Sequence, residues 1–381
     1  MQSEAILPNP LLDKITQAIQ AAKGWIGFDT FMHLALYAPG LGYYANTSTK
    51  FGVLPQSKGG YTSDFVTAPE MTSLFGQALA NQVSQALLET QTDEIFEFGA
   101  GTGALAAQIL GALDAQGLTW QRYTIIDVSG SLRSRQQQRL LHWGNKVQWV
   151  DQWPSAMRGV VIGNEVLDAM PVQLLVRKSG VWLERGVAVD DHEGGLVWQD
   201  HPSALRPPME IAGDHDYLTE IHPQAEAFVR SLAEHLNHGA AFLLDYGFPE
   251  TEYYHPQRHM GTIMCHRAHR ADANPLQDPG QKDITAHVNF SGIALAAQDA
   301  GMDVIGCCSQ ARFLMNCGIL KLLENASVQD KAMAQKLLLE HEMGELFKVI
   351  GLAKSQMQSG ASARANWIPL GFAQGDRTHT L

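Results

Sequence analysis

The chain has 381 residues, 45% apolar and 17% charged, with a formal net charge of −12 at pH 7. That describes a soluble globular protein, either one large domain with insertions or two smaller ones. The acidic balance argues against a nucleic-acid partner, which would usually show a basic face, and suits a cationic one, although acidity for solubility alone is the weightier reading. No stretch approaches the length of a membrane span, so no membrane insertion is expected.

Residues 10–37 predict helical pieces, with Leu11, Leu12, Ile15 and Ile19 at helical spacing and Phe28, Phe31, Met32, Leu34 and Leu36 following. The loop Ala38-Pro-Gly-Leu-Gly-Tyr-Tyr44 ends them, and Tyr61-Thr-Ser-Asp-Phe-Val-Thr-Ala-Pro-Glu70 leads into a helix over 70–90. From residue 94 strand and helix alternate: Ile95–Phe98, a helix to 113, Arg122–Asp127, a helix over 130–141, Lys146–Val150 and Gly159–Gly163. Repeated βα units with apolar strands imply a parallel sheet covered on both faces. Residues 172–200 instead read as a hairpin turning at Lys178-Ser-Gly180. The sheet resumes at Ala240–Asp245 and is followed by a His-, Arg- and Pro-rich loop over 247–284. A helix near 290–300, a strand at Met302–Cys307, a helical stretch over 313–356 and a last strand at Trp367–Phe372 complete the expectation.

The stretch Glu94-Ile-Phe-Glu-Phe-Gly-Ala-Gly-Thr-Gly-Ala-Leu105 is the most informative. Gly99, Gly101 and Gly103 permit positive φ and close approach of a ligand to the backbone. A dinucleotide would bring its pyrophosphate to this turn, where the carboxylate of Glu97 is unfavourable. S-adenosylmethionine would bring an ammonium and a sulfonium, for which that carboxylate is favourable. A dehydrogenase remains the rival, because Gly99-Ala-Gly-Thr-Gly-Ala104 also satisfies Gly-x-Gly-x-x-Ala.

Asp127, at the end of the second strand, is placed to accept the ribose hydroxyls, or with Ser129 to cap the next helix. Asp151 is placed to meet the adenine amino group and Trp153 to pack on the ring, although a lone Asp-x-Trp also suits a surface loop. Asn164-Glu-Val-Leu-Asp-Ala-Met-Pro171 brings an amide and two carboxylates to the carboxyl edge of the fourth strand, where open α/β sheets bind ligands. Asp245, ending the fifth strand on that edge, could contact a cationic substrate or satisfy loop amides. His255, His259, His266, His269 and His287 with Cys265 lack a metal-site pattern, and no metal is expected. The cysteines at 265, 307, 308 and 317 show no Cys-x-x-Cys pair, which suits buried reduced thiols. With no basic, apolar leader at Met1-Gln-Ser-Glu-Ala-Ile-Leu-Pro8, the expected location is cytoplasmic.

Several segments together resemble one family: Phe31–Tyr44, Asp64–Glu70, Glu97–Gly103, Asn164–Pro171, Leu244-Asp-Tyr-Gly247, Asp283–Phe290 and Glu342–Lys348. The chain resembles MidA-type methyltransferases, the family of the mitochondrial complex I assembly arginine methyltransferase. The likeness runs from about residue 28 to 372. Asp127 stands where the family more often has Glu, and Met170 where Leu is usual.

The resemblance implies an α/β fold of the class I, Rossmann-like methyltransferase type, with a seven-stranded mostly parallel sheet. It places a helical leader over 1–90 covering the cofactor site, then a methyltransferase domain over 91–372 with helical and hairpin insertions at about 172–220, 247–290 and 311–360. S-adenosylmethionine would be the donor, held by Glu97, Gly99, Gly101, Gly103, Asp127, Ser129, Asp151, Trp153 and Asn164. Thr67, Pro69 and Glu70 would close over it. Glu165, Asp168 and Asp245 would be catalytic, acting on an arginine of a respiratory-complex subunit. A small-molecule acceptor and a donor-binding assembly factor with little catalysis are the alternatives, and a homodimer is compatible with all of them.

Overall fold

The computed structural model describes residues 9–46, 67–127, 130–190, 195–267, 270–355 and 367–381. They fall into two units, one built from residues 1–48, 170–223 and 254–286, the other from 49–169, 224–253 and 287–381. The described part of the expected leader over 1–90 is thus shared between the units, residues 9–46 lying with the 172–220 insertion and residues 67–90 with the glycine turn.

The larger unit is built on an eight-stranded sheet whose main strands, numbered along the chain, are β1 (Glu94–Phe98), β2 (Arg122–Ile126), β3 (Val147–Val150), β4 (Met157–Asn164), β5 (Leu236–Phe248), β6 (Asp303–Ser309) and β7 (Phe347–Lys354); the short Val288–Asn289 pairs with the end of β5. The spatial order of β1 to β7 is 3-2-1-4-5-7-6, with β1 to β5 parallel and β7 antiparallel to both neighbours. Val160, Val161 and Ile162 of β4 and Ala240–Leu244 of β5 are buried throughout, as strands covered on both faces must be. The helices Leu74–Thr90 and Ala104–Ala115 pack their Phe75, Leu79, Val83, Leu105, Ile109 and Leu110 into the same core. All four cysteines are buried and unpaired. No helix among the described residues is long and apolar enough to cross a membrane.

The last strand departs from the sequence reading. Residues 347–354 were expected to be helical and 367–372 to be strand, yet β7 is Phe347–Lys354 and Leu370–Phe372 is a single 3-10 turn. An apolar run of this length fits a buried strand or a buried helix equally until its neighbours are known. Here β5 and β6 flank it and pair along its length. The Leu370 and Gly371 amides instead donate to the side chains of Gln85 and Gln82, at 2.6 and 2.8 Å.

In the smaller unit, Gln173–Lys178 and Val181–Val189 form the expected hairpin, with Ser179 and Gly180 both at positive φ. Ile26–Gly27, Leu196–Pro202 and Tyr217–Ile221 complete this antiparallel sheet. The helices Pro10–Ala21, capped by Asn9, and Phe28–Tyr37 bury Leu11, Ile15, Ile19, Phe31 and Met32 in its core.

Candidate active site

The ends of β1, β2, β4 and β5 lie along one edge of the large sheet. After β1 the chain turns through Gly99, Gly101 and Gly103 at φ +63°, +52° and +79°, a region that L side chains rarely adopt. A Cβ on Gly103 would press within 3.3 Å of the Gln136 backbone, whereas one on Gly101 would meet no atom of the described residues within 4 Å. Gly101 therefore borders open space, as a turn approached by a ligand should.

Glu97 is buried, and Tyr123 Oη donates to its Oε2 at 2.8 Å. Burial pushes its pKa up to about 8; the Tyr123 hydrogen bond opposes this and the Asp127 charge adds to it. The native state thus keeps a proton that the unfolded chain has lost from pH 4.5 upward. Stability should fall as pH rises through that window, by up to about 5 kcal/mol once pH exceeds 8. Glu97→Gln should remove this slope, gaining in melting temperature over the parent at pH 9 but not at pH 5 in thermal unfolding.

Asp127 accepts from Gln136 Nε2 at 2.9 Å. Asp151 is exposed, and Trp153 packs against Phe98, Phe228 and His235 with ring centroids 4.5, 5.2 and 5.2 Å away. Ser129 and residues 64–66 lie outside the described residues. Thr67 opens the short helix Ala68–Met71, which rests on the glycine turn. Pro69 O accepts from Gln108 Nε2 at 2.7 Å. Glu70 Oε1 accepts from Thr102 Oγ1 and, at 3.0 Å, from Arg139 Nη1.

At the end of β4, Asn164 Nδ2 donates to Glu165 Oε1 at 3.0 Å, while Asn164 Oδ1 is buried and accepts nothing. Glu165 sits at φ +54°, a left-handed conformation uncommon for a residue with a Cβ, and its amide is tied to Leu244 O at 2.9 Å. Such strain gathers where a side chain must be aimed.

Asp245 is fully buried and organises this loop. Its Oδ2 accepts from the amides of Val166, Leu167 and Asp168 at 3.1, 2.9 and 3.2 Å, and its Oδ1 from Tyr246 N at 2.9 Å. Burial and the neighbouring Asp168 and Glu165 charges push its pKa up, and the amides oppose them. Asp168, also buried, accepts from Tyr246 Oη at 2.5 Å, and burial raises its pKa to about 6. Of the two roles open to Asp245, holding loop amides is the one its contacts serve. Asp245→Asn would turn an amide donor toward N–H groups and should cost about 3 kcal/mol in denaturant unfolding.

Sequence reasoning missed Tyr123, Gln136, Arg139 and Tyr246. Tyr246 could have been suspected from its place beside Asp245, but Gln136 lies in Gln136-Gln-Gln138, which carries no signal. Among the described residues, no three His, Cys, Asp or Glu side chains gather as a metal site would require.

A 3-2-1-4-5-7-6 sheet with antiparallel β7, a glycine turn after β1 and an acid after β2 defines a class I S-adenosylmethionine-dependent methyltransferase. The family model Methyltransf_28, described as an S-adenosyl-L-methionine-dependent methyltransferase, matches residues 77–308, and the chain belongs to this family. The chain is 45% identical to a COG1565 superfamily member from Burkholderia thailandensis, whose crystal structure has S-adenosyl-homocysteine bound. That likeness covers 98% of this chain and 96% of the other, with a TM-score of 0.89. It is also 26% identical to the human protein arginine methyltransferase NDUFAF7, over 94% of this chain and 86% of the relative. The Caenorhabditis elegans homologue is 25% identical, over 97% and 90% respectively. Both relatives are named mitochondrial, which overturns the expected cytoplasmic location. That expectation rested only on a missing leader pattern, which does not decide a compartment.

The site's residues fit the donor this family uses. Among the described residues, the space beside Gly101 and the unpartnered buried acceptor Asn164 Oδ1 suit a ligand with a ribosyl body and an amino-acid end that donates hydrogen bonds.

Proposed function

We propose that this methyltransferase acts on the guanidinium of a protein arginine, with a respiratory-complex subunit of the complex I type as the acceptor protein. The observation that carries the proposal is the cluster of Glu165, Asp168 and Asp245 where β4 and β5 end, an acidic surround suited to a cationic acceptor. The names of the curated relatives, protein arginine methyltransferases, support the arginine part of this reading.

S-adenosylmethionine, held by Glu97, the glycine turn, Asp127 and Asn164, supplies an electrophilic methyl on a sulfonium. A guanidinium has a pKa of about 12.5 or more, so removing its proton at pH 7 before transfer would cost roughly 7 kcal/mol. Carboxylates here serve better by orienting the nitrogen, offsetting the repulsion between two cations and taking the proton as the bond forms. Glu165, aimed by its strained backbone and its bond from Asn164, orients the acceptor nitrogen. Asp168, ionised above about pH 6 and hydrogen-bonded to Tyr246, receives the proton.

The test is incubation of the protein with methyl-labelled donor and an array of arginine and lysine peptides beside small amines, read by mass spectrometry. Label on arginine alone supports the proposal. Label confined to small amines or to lysine overturns it.

A further inference from the structure

Gln136, on the helix Gly130–Arg139, has no exposed surface, yet its side-chain hydrogen bonds among the described residues reach the glycine turn, Asp127 and Trp149. Its Nε2 donates to Gly101 O at 2.8 Å and to Asp127 Oδ2 at 2.9 Å, while its Oε1 accepts from Trp149 Nε1 at 2.9 Å. The indole N–H can only donate, so the amide oxygen must face Trp149 and the NH2 must face the turn and the acid. One nitrogen thus joins the glycine turn after β1 to the carboxylate after β2. One turn along the same helix, Arg139 Nη1 donates to Thr102 Oγ1 at 2.6 Å, holding the turn at a second point.

The geometry points to Gln136 as a positioning residue for the methyl donor: it fixes the Asp127 carboxylate against the glycine turn and so sets the affinity for the donor's ribose without touching it. The inference rests on Asp127 being the ribose acid. The Gly101 carbonyl and the Asp127 carboxylate are both acceptors and the Trp149 indole is a donor, so the group that joins them must donate twice and accept once, as a primary amide does. Glutamate cannot donate twice, asparagine is one methylene short, and methionine keeps the volume but loses the donors. Charge-assisted bonds of this kind are among the stronger ones in proteins, so their loss should be visible in binding.

The test uses the full chain and calorimetric titration with two probes, S-adenosylhomocysteine and its 2′,3′-dideoxy analogue. Asp127→Ala and Gln136→Met should each weaken S-adenosylhomocysteine binding about tenfold. Affinity for the dideoxy analogue should stay within about twofold of the parent's, since the hydroxyls that Asp127 would hold are gone. The double variant should bind S-adenosylhomocysteine no worse than Asp127→Ala.

If Asp127→Ala discriminates between the probes but Gln136→Met weakens both equally, or neither, the positioning role falls and the ribose assignment stands. If Asp127→Ala itself fails to discriminate, the ribose assignment falls and takes the Gln136 role with it. Should Gln136→Met not fold, Gln136→Asn, whose amide stops short of Asp127, gives the same readout.

Discussion

Gly101→Val is expected to weaken S-adenosylhomocysteine binding at least about 100-fold in calorimetric titration while the protein still folds. Two effects combine. Gly101 has φ +52°, where a β-branched residue is strained, typically by about 1–3 kcal/mol. Its Cβ direction meets no atom of the described residues within 4 Å, so the new side chain would occupy the space assigned to the donor and leave the core packing alone. Gly101→Ala separates the two, since it keeps part of the strain and removes most of the bulk. It should bind more tightly than the valine variant and unfold at nearly the parent temperature. Equal binding by the parent and the valine variant would remove the glycine turn from the donor site.

Glu165→Gln is expected to lower kcat for arginine methylation by about 10²–10³-fold with little change in the KM for the donor. The amide is close to isosteric and can keep the Glu165 backbone conformation, so the loss would report charge and not shape. A companion effect separates orientation from proton transfer. Burial sets the Asp168 pKa at about 6, so kcat should rise as pH passes that value, and Asp168→Asn should abolish the rising limb. A Glu165→Gln enzyme with full kcat, or a rising limb that survives in Asp168→Asn, would move the acid–base chemistry elsewhere.

Much of the candidate site's backbone was legible because it is local. A strand, three glycines and a helix follow one another within Glu94–Leu105, and the backbone geometry they require follows from their own side chains or lack of them. Asp127 and Asn164-Glu165 were legible for a related reason: each follows an apolar strand, and strand ends on one edge of a parallel sheet converge. What could not be read was the partner of each polar group. Asp245 looked as able to meet a substrate as to hold a loop, and its four backbone donors appear only in the folded chain. Trp153 was assigned to adenine from sequence order alone, whereas its described ring contacts are Phe98, Phe228 and His235.

The sequence by itself determined the alternation of strand and helix after residue 94, the hairpin at Ser179-Gly180 and the glycine turn that follows the first strand of the large sheet. These follow from periodicity and from φ preferences, which act over a few residues. Tertiary structure alone decided that Phe347–Lys354 enters the sheet between β5 and β6, that residues 1–48 fold with 170–223 and 254–286, and that Gln136 meets Gly101, Asp127 and Trp149. Each of these joins segments far apart in the chain. A strand carries no mark of its neighbour, and an amide carries no mark of the carboxylate it will meet until packing has brought the two together.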